Sequence, residues 1–381
     1  MEKRNQQHTV IIPSYNTLEH LKNTYQSIKK YAPNVPMIII DDASEDGTDV
    51  WLNNLDDKNL TIIIGKERKG HTYWYDEGMR RAKTPIVSIL HSDMIIGPGY
   101  FENMLKHLKP LSVVCATRIE PPIHPAGLEK HVQHFGIDHN DFTWEAFENF
   151  VIDTAKKDKD ITTKGIFAPW MLYKEDHLSI GGHDQRFTPY GYEDSDIFNR
   201  WIQAGYEMIQ SRDSLCYHMT CRGHRWNGGV GVENSDYKET MDRCRREFLR
   251  KWGEWIQNDK YQYPIIHPKY DKGLIVKNCN EQFIEMLEPW FDTLYVDCDY
   301  KNYIEKESKR TITDLFDRIK PYDNEKQNNI FVVVLIVCRI NIYYIFLSQL
   351  SAIIQDSGQI GDFELGNLKI NIIHMREYLI N

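Results

Sequence analysis

The chain has 381 residues, 41% of them hydrophobic, with 46 Lys and Arg against 55 Asp and Glu and a formal net charge of -9. That is enough apolar material for two or three globular domains, and an acidic balance without a long Lys/Arg block excludes a nucleic-acid-binding surface. The seven cysteines are dispersed and form no Cys-x-x-Cys pair, and the start "MEKRNQQHTVIIPSYN" passes from charge into an apolar run without the pattern of a secretory signal, so a reducing, cytoplasmic location is expected.

"HTVIIPSYN" and "PMIIIDD" are short apolar runs that end in polar residues, separated by the helical pattern "LEHLKNTYQSIKKYA". This is a β-α-β unit. "LTIIIG", "YDEGMRRAK" and "PIVSILHSD" repeat the alternation, which predicts a parallel sheet whose strands end at Asn16, at Asp41 and Asp42, and at His91 to Asp93. Ligands of open α/β sheets sit beyond the carboxyl ends of the strands, so these polar clusters should converge on one crevice. After Ala116 the pattern is irregular, and "DTAKKDKDITTKG" reads as a loop or flap. In "GYEDSDIFNRWIQAGY", Ile197, Phe198 and Trp201 share a helical stripe behind three carboxylates, Glu193, Asp194 and Asp196. The carboxylates suit the positive end of that helix, with Gly205 at its other end.

"YKETMDRCRREFLRKWGEWI" is expected to be the last helix of a first domain, 1–255. Residues 256–381 read as a smaller C-terminal α/β accessory domain serving oligomerisation or acceptor binding, with "FELGNLKINI" as a terminal hairpin. "IFVVVLIVCRINIYYIFL" (Ile330 to Leu347) approaches membrane-spanning length. Arg339 and Asn341 near its middle, and its β-branched and aromatic content, favour two buried strands over a span.

Four stretches follow one another in order: "VIIPSYN" with "IIIDDASEDGT", "AKTPIVSILHSDMIIGPGYFENML", "SIGGHDQRFTPYGYEDSD" and "CYHM". On these motifs residues 1–255 resemble the family 2 glycosyltransferases of the GT-A fold, a Rossmann-like mixed, mainly parallel sheet with flanking helices. The resemblance implies an inverting enzyme that moves a sugar from a UDP-sugar to a hydroxyl of a glycan, glycolipid or glycoprotein, with Mn²⁺ or Mg²⁺ as cofactor.

By that resemblance Asp194 is the general base, kept ionised by the helix N-terminus, with Glu193 in support and Asp196 as a cap. Asp93 matches the metal-binding Asp of DxD. His91 stands where the first Asp of that motif is found, and His218 of "CYHM" is a further metal ligand. Asp42 matches the acceptor of the uracil N3–H, Pro13 and Tyr15 flank the base, and His71 and Ser92 complete the nucleotide site. The family's "ARNxG" is here "WYDEG", with Asp76 for Asn and no Arg before it, so Lys69, His71 and Arg222 are the candidates for phosphate contacts. Gly182 and Asp184 match the donor-sugar positions of the GG motif, and Trp170 is a candidate sugar platform beside Tyr190, Tyr192 and Trp226.

The departures at His91 and Asp76 leave a second reading, a catalytically inactive scaffold that binds nucleotide or glycan. A nucleotidyltransferase would want a Gly-rich basic phosphate loop after the first strand, which "PSYNTLEH" is not. "CYHMTCRGH" also offers Cys216, His218, Cys221 and His224 to a structural zinc, at spacings that fit no common zinc motif.

Overall fold

The computed structural model describes residues 8–165, 167–226, 229–334, 340–365 and 368–378. The chain divides into two units, Met1–Thr240 with Asn258–Pro264, and Met241–Gln257 with Ile265–Asn381.

The first unit is built on a sheet of β1 (His8–Ser14), β2 (Met37–Asp41), β3 (Leu60–Ile64), β4 (Ile86–Ile89), β5 (Met94–Ile96), β6 (Ser112–Glu120), β7 (Lys130–Val132), β8 (Thr162–Thr163), β9 (Trp170–Tyr173) and β10 (Glu207–His218). Its order is β3-β2-β1-β4-β9-β6-β10-β5, with β7 beside β6 and β8 beside β10. The pairs β1–β2, β1–β4, β2–β3 and β6–β10 are parallel, while β9 and β5 run against their neighbours. The expected mixed, mainly parallel sheet is present.

Its continuous apolar strands follow from burial on both faces. Successive side chains alternate sides: Val10, Ile12, Met37 and Ile39 pack with Leu21 and Ile28, whereas Ile11, Ile38 and Ile40 pack with Trp74, Met79, Ile197 and Trp201. Leu21 and Ile28 lie on α1 (Leu18–Tyr31), which is followed by α2 (Thr48–Asn53). Trp74 and Met79 lie on α3 (His71–Arg81), followed by α4 (Tyr100–Leu105). The loop expected around "DTAKKDKD" is corrected. Trp144–Lys157 forms helix α5, anchored by buried Phe147 and Val151, and the mixed charges are its solvated end. After α6 (Lys174–Ser179), the stripe of Ile197, Phe198 and Trp201 is buried on α7 (Glu193–Gln203) as expected.

Helix α8 (Tyr237–Trp252) was expected to close the first unit, but from Met241 onward it groups with the second. The reason is electrostatic. Arg246 and Arg250 are buried and bind Glu288 and Glu307. The second unit's larger sheet has the order β14-β13-β12-β15-β17-β16. Its strands are β12 (Lys272–Val276), β13 (Thr293–Val296), β14 (Ile319–Pro321), β15 (Ile330–Val334), β16 (Gly361–Leu365) and β17 (Leu368–Ile372); β11 (Lys269–Tyr270) pairs separately with β18 (Glu377–Tyr378). β16 and β17 form the expected antiparallel hairpin.

Of the two strands expected in Ile330–Leu347, the first is β15, and residues 335–339 lie outside the described ones. The second is corrected to a helix, Ile340–Ser348. Tyr344 and Leu347, three residues apart within it, pack on the same core, a helical spacing that overrides the strand propensity of the run. Among the described residues no helix is long and apolar enough to cross a membrane.

Candidate active site

β10 and β5 pair His218 with Met94, so the strand end carrying His218 is delivered beside the loop that carries His91 and Asp93. The backbone N–H of Met219 donates to the carbonyl of Asp93 at 3.1 Å and fixes that approach. His91, Asp93 and His218 bring one donor atom each to within 4.8 Å of one another, with His218 Nε2 3.5 Å from Asp93 Oδ1. The other nitrogen, Nδ1, lies 3.3 Å from Oε1 of Glu120, at the end of β6. Arg118 and Lys130 in turn hold Glu120 at 2.6 and 2.7 Å. A histidine oriented through one nitrogen by a carboxylate, with the other facing an acid, suits a divalent cation. Burial opposes the charging of His218, but Asp93 and Glu120 outweigh it and push the imidazole up to about 9. Burial also acts on Asp93, yet His218 and its histidine neighbours hold that carboxyl well below the usual range.

Glu193 and Asp194 open α7 directly after Tyr192, a non-glycine residue at φ +69°. His71 Nε2 lies 2.6 Å from Glu193 Oε1. Against burial, that contact holds the Glu193 carboxyl down to about 2. Burial first and the Glu193 charge second push Asp194 up to about 7. The expectation that the helix terminus keeps Asp194 fully ionised is therefore corrected, because desolvation and a like charge exceed the pull of the helix end. Asp196, expected as a cap, lies in the first turn behind the N-cap Tyr192: its Oδ2 binds Arg200 Nε at 2.9 Å, and that guanidinium donates to the carbonyls of Ile180 and Gly182, bracing the turn before the helix.

The loop after β3 closes over the same rim. Asp42 accepts from Lys69 N, Gly70 N and Trp74 Nε1 at 2.7, 2.8 and 2.5 Å. A Cβ on Gly70 would lie 2.2 Å from Pro189 Cα, so the glycine at φ +81° is what lets this loop reach the segment before α7. His71 is delivered to Glu193 as a result. A row of rings then spans the site, His71 to His91 at 6.4 Å and His91 to His218 at 5.5 Å, with Tyr75 5.4 Å from His71 and 6.5 Å from His91. Pro13 lies in β1 opposite Ile40, and the Arg68 guanidinium covers the Tyr15 ring at 3.9 Å. The Ser92 hydroxyl bonds that of Thr17 at 2.8 Å. Lys69 pairs with Glu67, and Arg222 donates to the carbonyl of Ile137. An open groove of about 480 Å³ along edge strand β3, lined by Lys66, Lys69, Tyr73 and Trp74 among others, contains none of the metal-donor group.

The sugar-side expectations fare differently. Trp170 is corrected from platform to core: it is fully buried, 4.9 Å from the Trp201 ring, and offers no face to a ligand. Gly182 turns its Cα toward Asp76, whose Oδ2 would be 2.3 Å from an added Cβ. Asp184 starts a short 3-10 turn, Gln185–Phe187, and pairs with Arg186 at 2.9 Å. Asp76 is no phosphate-side residue. It is buried and accepts from His177 Nε2 at 3.0 Å and from His183 Nδ1 at 2.7 Å. No cysteine belongs to any cluster of metal-donor side chains among the described residues, and Cys216 is buried in the apolar core, so the Cys/His zinc alternative is not supported.

Of the residues expected at the site, the fold brings His91, Asp93, His218, His71, Glu193 and Asp194 to one rim. Glu120, Arg68, Tyr75 and His183 join them there without having been expected. Of these only His183 and Tyr75 carried a local signal, being inside the "IGGHD" and "WYDEG" stretches already singled out.

Over part of its length the chain is similar to known glycosyltransferases. Residues 9–173 match the model for glycosyl transferase family 2, and residues 153–222 match one described as the N-terminal domain of galactosyltransferase. The uncharacterized glycosyltransferase YfnE of Bacillus subtilis (strain 168) is 26% identical over 253 residues, covering 55% of this chain and 64% of its own. Validoxylamine A glucosyltransferase of Streptomyces hygroscopicus subsp. jinggangensis (strain 5008) is 24% identical over 229 residues, covering 54% of each. The chain therefore spans less than two thirds of these relatives. Among solved structures, a mannosyltransferase of Pyrobaculum calidifontis in complex with GDP-Man and Mn²⁺ is similar at a TM-score of 0.41 and 21% identity, covering 57% of each chain.

Proposed function

Through residues 9–173 this chain belongs to glycosyl transferase family 2, with the mainly parallel sheet of the GT-A fold, and from that membership we propose that it is an inverting glycosyltransferase that moves a sugar from a UDP-sugar to a hydroxyl of a carbohydrate-containing acceptor. The observation that carries the proposal is one rim holding both a carboxyl pushed up to about 7, Asp194, and a convergent His91–Asp93–His218 donor group.

An acceptor hydroxyl is a poor nucleophile at neutral pH. Asp194 takes its proton as the new bond to the anomeric carbon forms and the bond to the diphosphate breaks, and a base titrating near the working pH suits that transfer. Glu193 keeps Oε2 buried without a hydrogen-bond partner in the described structure, so this oxygen is free to orient a sugar hydroxyl. Asp93, His218 and His91 would hold Mn²⁺ or Mg²⁺, which supplies positive charge to the diphosphate leaving group. Asp93 is the hard oxygen ligand, and Glu120 fixes the orientation of His218. Tyr15 and Pro13 would flank the base, with Arg68 adding charge on the diphosphate side. Asp42 has three of its roughly four lone-pair sites engaged by the loop it anchors, which leaves one for a base N–H. The second unit we assign to acceptor binding or self-association, and the reaction to the cytoplasm.

The test is nucleotide release from a panel of UDP-, GDP- and dTDP-sugars, with Mn²⁺ or with chelator, comparing the full chain with Asp194→Asn. Metal-dependent release from one UDP-sugar, lost in the variant, is expected. Calorimetric UDP binding with no release from any donor, across a panel of glycan acceptors, would instead identify a binding scaffold.

A further inference from the structure

Three clusters of His and carboxylate side chains occur among the described residues: His91–Asp93–His218, Asp76–His177–His183 and His20–Asp138–His139. The first belongs to the site above. In the second, both imidazoles hydrogen-bond Asp76 through one nitrogen, and their other nitrogens, His177 Nδ1 and His183 Nε2, find no partner. The third contains a close pair of donor atoms with no hydrogen bond between them.

His20, on the first turn of α1, brings Nε2 within 2.9 Å of Asp138 Oδ1. That nitrogen is shut off from solvent, yet it makes no hydrogen bond with the carboxylate or any other described group. The same oxygen is hydrogen-bonded to His139 Nδ1 at 3.0 Å and accepts from the His139 backbone N–H at 2.8 Å. Two donor atoms this close with no hydrogen bond between them come near the spacing of atoms that share an ion: bonds of about 2.1 Å meeting at about 90–110° end about 3.0–3.4 Å apart. We propose that His20, Asp138 and His139 form a second divalent-metal site, for a transition metal such as Zn²⁺ or Co²⁺. Two imidazoles select such ions over Mg²⁺ or Ca²⁺, which prefer oxygen.

The turn that presents two of the ligands is held in advance. Asp141 accepts from Ile137 N at 3.0 Å and Asp138 N at 2.8 Å, Arg222 donates to the carbonyl of Ile137, and Asn23 Nδ2 ties the carbonyl of His139 to α1 at 2.8 Å. Thr24 lies one turn after His20 on α1, and its hydroxyl donates to the carbonyl of Ser92 at 2.8 Å, next to Asp93. An ion here cross-links α1 to the 137–141 turn one helical turn from the contact that seats Asp93. It shares no ligand with the first cluster.

The full chain, stripped with chelator, is titrated with Zn²⁺ in equilibrium dialysis and with Co²⁺ by visible absorption. His139 is about one third exposed, so His139→Ala removes a ligand without opening a core, and Asp138→Asn keeps the shape while removing the charge. Each variant is expected to bind one equivalent fewer than the wild type, or to bind it at least about tenfold more weakly, while Asp93→Asn retains this equivalent and its Co²⁺ band. Wild-type stoichiometry and affinity in both His139→Ala and Asp138→Asn would overturn the proposal, as would loss of all Co²⁺ absorption in Asp93→Asn. Neither readout depends on sugar transfer, so the site stands or falls apart from the proposed activity.

Discussion

Glu193 and Asp194 are adjacent at the start of α7, and their acidities are driven apart: the His71 imidazole 2.6 Å from Glu193 holds that carboxyl at about 2, while burial and the resulting charge push Asp194 up to about 7. Two carboxyls with opposed environments are the usual arrangement when one is to hold a ligand and the other is to accept a proton.

The pH dependence follows with a definite sign. Asp194 must be ionised to act as a base, so turnover rises as pH increases through about 7. Glu193→Gln removes the charge that raises Asp194 and moves this acid limb to lower pH. His71→Gln removes a cation that lowers it and moves the limb up. A pH–rate profile of kcat/KM in the three proteins checks both directions, and a limb that stays put in both variants defeats the assignment of Asp194 as base.

Asp194→Asn should lower turnover about 10²- to 10⁴-fold, the usual contribution of a general base, and raise Tm by a few degrees. A carboxyl whose folded pKa lies above its ordinary 3.8 makes the folded state less stable at neutral pH, because the unfolded chain carries the charge freely. Removing the charge removes that cost. A variant both inactive and less stable than the wild type would show structural damage rather than the loss of a base.

Glu120 offers a test of the metal group that leaves its ligands in place. Glu120→Gln frees Nδ1 of His218 from its carboxylate partner and should weaken Mn²⁺ binding about 10- to 100-fold in calorimetry, as loss of such a partner does elsewhere. Asp93→Asn should weaken it further and lower nucleotide release by at least about 100-fold. Unchanged Mn²⁺ affinity in Glu120→Gln would mean that His218 does not hold the ion.

Why the sequence shows one part of this site and hides the other is a matter of distance along the chain. Asp93, Glu193 and Asp194 stand next to apolar runs of recognisable period, and a parallel sheet must bring its strand ends to one rim. Glu120 reaches His218 only because β6 pairs with β10 in a register that sets Tyr217 opposite Ile119, and no local pattern announces that pairing. Trp170 is misread for the reverse reason. A tryptophan offers an apolar face that suits a sugar platform, but β9 sits between β4 and β6 in the sheet and buries it. Asp76 was a departure from a motif in the sequence, and in the fold it gains two histidine donors that sequence spacing could not supply.

The glycine pair before α7 separates backbone strain from contact. Gly181 at φ +93° would meet nothing with an added Cβ, whereas Gly182 at φ +68° would place it 2.3 Å from Asp76. Gly181→Ala should therefore cost only the left-handed backbone, about 1–2 kcal/mol, and Gly182→Ala about 1–3 kcal/mol more for the displaced carboxylate. Urea unfolding of the two variants compares them, and equal losses would mean that Asp76 yields without cost.

In the second unit the deepest charge is Glu288, fully buried, which accepts from Arg250 Nη2 at 2.7 Å, Arg318 Nε at 2.6 Å and the Tyr303 hydroxyl at 2.9 Å. Burial alone would raise its carboxyl, but Arg318 and Arg250 outweigh it and hold the group down to about 2, below its ordinary 4.5. Its contribution to stability is therefore fully present above about 4.5 and is lost as pH falls through about 2. Glu288→Gln leaves the guanidinium groups without a counter-charge and should cost about 3–5 kcal/mol at pH 7. The difference from the wild type should shrink steadily below pH 4.5, because the wild-type carboxyl is then increasingly favoured to protonate on unfolding. Hydrogen exchange of β12 and β13 at pH 7 and near pH 3 reads this unit without relying on the whole chain unfolding as one. A gap between the two proteins that is the same at both pH values would show that Glu288 holds the core by its shape and hydrogen bonds, and that its charge contributes nothing.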